Sequence, residues 1–146
     1  MLEFNIYRRS SGEISGFDLG DMQFRFEKKE ISSMENIKFS MMIYPALTLL
    51  IDSLLKLKNG KNIEFVGTDS SFSVSFKLKK NQVTISQKKE SLGEHELKNF
   101  LKTIEFGIEN FLNSGNDLPK NDPVYDDFHN ALKSLKSRLK QDKENS

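Results

Sequence analysis

Polar and apolar residues alternate in five stretches of this chain, and alternation of that kind predicts a half-buried strand. Leu2, Phe4 and Ile6 alternate with Glu3, Asn5 and Tyr7, and Met22, Phe24 and Phe26 alternate with Gln23, Arg25 and Glu27. Glycine-bearing polar turns around residues 10–12 and 16–20 separate the two, which predicts a hairpin with a long connection. Later, Ile63 and Phe65 mark a third strand, and Phe72, Val74, Phe76 and Leu78 alternate with Ser73, Ser75, Lys77 and Lys79 in a fourth. Val83 and Ile85, set between Gln82, Thr84 and Ser86, mark a fifth. Short links around residues 67–70 and 80–81 suit antiparallel hairpins.

Three helices interrupt the alternation. Leu47, Leu49, Leu50, Ile51, Leu54, Leu55 and Leu57 leave only Thr48, Asp52 and Lys56 as a polar stripe, so this helix is buried on more than one side. Pro45 fits its first turn and Gly60 its end, which places it near residues 44–58, with residues 37–43 open between a strand and a first helical turn. Ser91 and Glu94 form an S-x-x-E capping box ahead of Leu97, Phe100, Leu101, Ile104, Ile108, Phe111 and Leu112. This second helix is expected to stop near Gly115. Asp122 before Pro123 reads as cap and first position of a third helix with the stripe Tyr125, Phe128, Leu132, Leu135 and Leu139. The expected fold is α+β: an antiparallel sheet in the order β-β-α-β-β-β-α-α with helices packed on one face. Residues 1–140 form one domain, and the polar residues 141–146 a disordered tail.

Composition narrows the class. The 146 residues suit one domain, and twelve Phe predict an aromatic-rich core. No cysteine is present, which removes disulfides, thiolate nucleophiles and Cys-ligated zinc, and fits a reducing cytoplasm. The start of the chain alternates rather than running apolar, and residues 41–57 are broken by Pro45, Thr48, Asp52, Ser53 and Lys56. Neither a signal peptide nor a membrane span is expected, and the compartment is read as cytoplasmic. Net charge is +1, so no global field steers the chain to nucleic acid or membrane. Residues 61–92 carry six basic against three acidic side chains, and residues 93–146 eight against ten.

A search for chemistry finds no constellation. His95 falls between Glu94 and Glu96, whose side chains diverge on a helix; Asp126 and His129 share a face but make half a metal site. Glu105 and Glu109 share a helix face outside the apolar stripe. No glycine pattern has phosphate-loop or dinucleotide spacing, and no serine has nucleophile-elbow flanks. No catalytic residue, cofactor or metal is expected. Arg25, Lys77, Lys79 and Lys88 with Tyr7 make a weak basic stacking face, but the strand Phe residues fall on the buried parity, which argues against a nucleic-acid reader.

Residues 47–85 carry a Leu-rich helix ending in Lys58-Asn59-Gly60-Lys61, then Glu64-Phe65-Val66-Gly67-Thr68-Asp69-Ser70-Ser71-Phe72, then an alternating strand. This segment resembles small bacterial α+β immunity proteins of polymorphic-toxin and contact-dependent growth-inhibition systems. The resemblance implies a cognate toxin as protein partner, neutralised by direct one-to-one binding, and transfers no functional residue by motif. The alternative is a non-catalytic adaptor or regulatory module that binds a host protein or small ligand. Two surfaces are candidates for contact. One is the acidic stretch Asp117, Asp122, Asp126 and Asp127 around the start of the last helix; the other is the basic set Arg25, Lys77 and Lys79 on the open sheet face.

Overall fold

The computed structural model describes the chain from Met1 to Glu144, with side chains to Gln141. The fold is α+β, but the strands divide into two four-stranded antiparallel sheets rather than one. The first holds β1 (Glu3–Arg8), β2 (Leu19–Phe26), β3 (Lys29–Ser32) and β4 (Met41–Met42), with β2 paired to all three others. The second is the meander β5 (Asn62–Val66), β6 (Ser73–Lys79), β7 (Gln82–Gln87) and β8 (Glu90–Glu96). The expected order therefore gains β3, β4 and β8. Residues 37–43 resolve into a 3-10 turn (Ile37–Phe39), then β4, then the first residue of helix α1 (Ile43–Leu55).

Alternation sets the core as expected. Phe72, Val74, Phe76 and Leu78 are buried while Lys77 and Lys79 are exposed, and Phe4 and Ile6 are buried opposite Phe24 and Met22. β2 crosses the apolar face of the second sheet. At its start, Met41 of the neighbouring β4 abuts Gly67; at its middle Phe24 meets Phe76 edge-on at 5.8 Å; at its end Phe26 meets His95 at 4.7 Å. Phe4 stacks on Phe24 at 4.8 Å, and Phe76 meets Phe100 at 5.5 Å, so one aromatic column ties both sheets to helix α2 (Leu97–Phe111). Such pairs add about 0.5–1.5 kcal/mol each beyond the area they bury.

The capping box at Ser91 and Glu94 does not open a helix. Those residues lie in β8, where Leu92 is buried and Glu94 pairs with Thr84. Gly93 takes φ +79 at a bulge between Thr84 and Ser86, a conformation that favours glycine, and Ser91 Oγ accepts the Gly93 N–H instead of capping a helix. Ladder bonds and burial of Leu92 outweigh a local cap, and α2 starts at Leu97 without a side-chain cap. It ends in a wide turn over Leu112–Asn116, with Gly115 at φ +86.

Helix α3 (Tyr125–Glu144) begins later than Asp122–Pro123 suggested and passes the expected boundary at residue 141; Asn145 and Ser146 lie outside the described residues. α3 packs on both other helices. Phe128 meets Tyr44 of α1 edge-on at 5.7 Å, and Lys136 pairs with the buried Glu109 Oε1 of α2. α2 lies against β1 so closely that a Cβ at Gly107 would collide with the Phe4 carbonyl. α1 leaves β4, where the Met42 N–H donates to Thr68 O, and packs against β5. Each sheet thus keeps one polar face away from the helices. Among the described residues no helix is long and apolar enough to cross a membrane.

Candidate functional site

The 9–18 connection of the first hairpin and the 112–124 connection before α3 meet at one end of the molecule, and two of the four candidate aspartates, Asp117 and Asp122, are held there. Asp122 is a structural clasp. Its Oδ2 accepts the Gly16 N–H at 2.9 Å and its Oδ1 the Val124 N–H at 2.9 Å, so it joins two connections 106 residues apart. Asp117 accepts the Leu118 N–H and lies 2.8 Å from His129 Nε2. His129, paired in sequence with Asp126, thus pairs in space with Asp117, while Tyr125 packs on its ring at 4.2 Å.

Asp126 and Asp127 are exposed in the first turn of α3 and point to different sides. Asp127 shares a groove of about 420 Å³ between α1 and α3 with Asp52, Thr48, Asn130, Ala131 and Ser134. Asp126 lines a second depression of about 360 Å³ with Tyr125, His129, Lys133 and Lys136. Charge at this helix start is partly complementary to the macrodipole, whose N-terminus carries about +0.5 of an elementary charge. Two carboxylates exceed that, so the first turn of α3 itself stays negative.

Beneath them a polar network fixes the connections. Arg8 Nη1 meets Asp18 Oδ2 at 3.0 Å with both side chains about 11–12% exposed, and Arg8 Nε donates to Asn116 Oδ1 at 3.3 Å. The buried Tyr44 hydroxyl donates to the Asn116 carbonyl. Burial chiefly, with the carboxylates of Asp18, Asp117 and Asp122 adding and Arg8 opposing, pushes the Tyr44 hydroxyl far above the ordinary tyrosine range. A raised pKa means the neutral phenol is stabilised by folding. That stability is complete below the unfolded value of about 10 and is lost as pH climbs towards the folded one. Thermal melts between pH 9 and 11.5 should fall for the parent and fall less for Tyr44→Phe, which starts about 1 kcal/mol lower at pH 7 for want of the hydrogen bond.

The basic candidates are not one surface. Arg25 stands in the first sheet between Glu3 and Glu30 on the flanking strands, while Lys77 and Lys79 stand in the second, opposite Thr84 and Gln82. On the same polar face as Arg25, Asn5 donates to Gln23, Gln23 to Glu30, and Arg9 to Asp21 through two bonds of 2.7 and 3.2 Å, with the Ser33 hydroxyl completing Asp21. The hydrogen bonds to Asp21 raise the Arg9 pKa above its ordinary value.

Sequence patterning put Tyr7 on the open sheet face but missed Leu19 and Phe17 beside it. Tyr7 and Leu19 are each 44% exposed and diagonal neighbours across β1 and β2, Leu19 stands opposite Met42, and Phe17 is 61% exposed two residues before Leu19. The one available signal was an aromatic inside a turn, Ser15-Gly16-Phe17-Asp18, where nothing in the chain's periodicity calls for one. The Gly16–Asp122 bond ties the connection that carries Phe17 to the segment leading into α3. Among the described residues no group of three or more His, Asp or Glu side chains is arranged to hold a metal. Comparison with protein-family models, with curated proteins and with solved structures returned no match to this chain.

Proposed function

We propose that this protein acts by binding another protein, as an immunity protein that neutralises a cognate bacterial toxin one-to-one. The observation that supports binding is the group of exposed Tyr7, Phe17 and Leu19 on and beside a connection that the Gly16–Asp122 bond ties to the segment before α3, whose first turn carries exposed Asp126 and Asp127. Interfaces join an apolar, aromatic centre to a polar rim, and these two groups supply both parts. The toxin as partner comes from the resemblance carried by residues 47–85. A stable contact needs about 800 Å² per partner, so the surface would extend from the outer face of β1 and β2 across the 9–18 connection to the first turns of α3.

The acidic rim selects a basic partner and mainly speeds association. Co-expression with the toxin-like product of a neighbouring reading frame should restore growth, and the pair should co-purify at one-to-one stoichiometry. Replacing both Asp126 and Asp127 by Asn should leave the melting temperature nearly unchanged, slow association, and flatten its dependence on salt between 50 and 500 mM, the range over which exposed charges become screened to about 4 Å. Equal association rates and an unchanged salt slope in the double variant would remove the acidic rim from the contact.

A further inference from the structure

An exposed phenylalanine in a loose loop would fold back on so aromatic a core, and Phe17 instead stands 61% exposed on a hydrogen-bonded turn. Its connection is held at Gly12 and at each residue from Ser15 to Asp18. Arg8 Nη2 donates to Gly12 O at 3.1 Å, the Ser15 N–H donates to Asp18 Oδ2 at 3.0 Å, and the Asp18 N–H donates to Ser15 O at 3.0 Å. The Phe17 N–H itself donates to Ser15 Oγ at 3.2 Å, and Asp18 O accepts the Ile43 N–H at the start of α1. Next to it the Gly16 N–H is held by Asp122, and a Cβ at Gly16 would collide with the Asp122 carboxylate and the Val124 side chain. The backbone on both sides of Phe17 is therefore set by α1, by the Arg8–Asp18 pair and by the connection to α3, while the ring stands in solvent.

We infer that Phe17 is a preorganised anchor that enters an apolar pocket on the protein partner, with basic side chains on the pocket's rim facing Asp126 and Asp127. The inference rests on the binding reading above and adds its central residue and the chemistry of the matching surface. Charge complementarity picks the occupant. Arg8 and Arg9 at the start of the loop are paired with Asp18 and Asp21, and the first turn of α3 beyond the Gly16–Asp122 bond carries exposed Asp126 and Asp127. Preorganisation explains why the network is there. Ordering a free residue's backbone on docking costs conformational entropy, and a loop already fixed by folding loses little more when it docks, which lengthens the life of the complex. Aromatic anchors at the centre of an interface each contribute at least about 2 kcal/mol on truncation.

The test titrates the purified product of the adjoining toxin-like reading frame against the parent, Phe17→Ala, Asp122→Ala and Phe106→Ala by calorimetry and by dissociation kinetics. Phe106, 66% exposed on α2, is the control for the loss of an exposed ring. Phe17→Ala should keep the parent's melting temperature and bind at least about 30-fold more weakly, through faster dissociation; Phe106→Ala should bind within about twofold of the parent, since isolated surface positions are near neutral. Asp122→Ala should weaken binding with Phe17 intact and have less effect once Phe17 is alanine, and full additivity in that cycle would remove the preorganisation. Parental affinity in Phe17→Ala would overturn the anchor while leaving protein binding in place. If the parent itself does not bind, the anchor and the binding reading fall together.

Discussion

Phe76→Ala should destabilise the fold by about 3–5 kcal/mol, the range for deleting a fully buried phenylalanine. Phe76 is 0% exposed and touches rings from both neighbours of the second sheet, Phe24 of β2 at 5.8 Å and Phe100 of α2 at 5.5 Å. Its loss leaves a cavity where three elements meet, and a site held from three sides relaxes poorly. Lys77→Ala, one residue on and exposed, should change stability by less than about 0.5 kcal/mol. Urea unfolding of the two variants checks the pair. Similar midpoints would mean that β6 does not present its odd and even residues to opposite sides.

Gly107→Val should cost about 3 kcal/mol, the upper end for overpacking. Most overpacked sites yield by turning a side chain, but the atom in the way here is the Phe4 main-chain carbonyl, and Phe4 is fixed by its pairing with Phe24. Valine's branched Cβ adds a second collision where α2 lies against β1. Gly107→Ala should already cost more than Phe106→Ala beside it, a change on the solvent side of the same helix. Equal melting temperatures for those two variants would show that α2 can lift off β1 without penalty.

The parts of this fold that could be read in the sequence are those where burial repeats with a period. β6 and the apolar stripe of α2 carry their faces in the order of their residues, and Phe72 to Leu78 and Phe100 to Ile108 are buried as that order requires. β3 and β4 leave too little pattern: Ile31 is the one apolar residue in Lys29–Ser32, and Met41–Met42 is two residues long. The Ser91–Glu94 cap was a sound local signal overruled by tertiary pairing, because β7 gives Leu92 and His95 a partner strand that the segment alone cannot reveal. That two sheets form rather than one also depends on a contact distant in sequence, the crossing of Phe24 over Phe76.

The candidate contact surface was legible in part for a related reason. Acidic residues near a helix start are visible in a sequence, and Asp126 and Asp127 are exposed there. Whether an aspartate is spent inside the protein is not visible, since the donors taken by Asp122 and Asp117 come from Gly16 and His129. Phe17 was hidden by its own type. In a chain with twelve phenylalanines, hydrophobicity predicts burial for each one, and only the fixed turn around Gly16 turns this ring outward.

Amide hydrogen exchange of the parent, with and without the proposed toxin partner, tests the central claim most directly. Exchange should slow on binding in residues 7–21 and 117–130, the two connections clasped by Gly16 and Asp122, and remain unchanged in the strands Asn62–Val66 and Ser73–Lys79. Protection confined to those two strands would move the contact to the polar face of the second sheet and contradict the account.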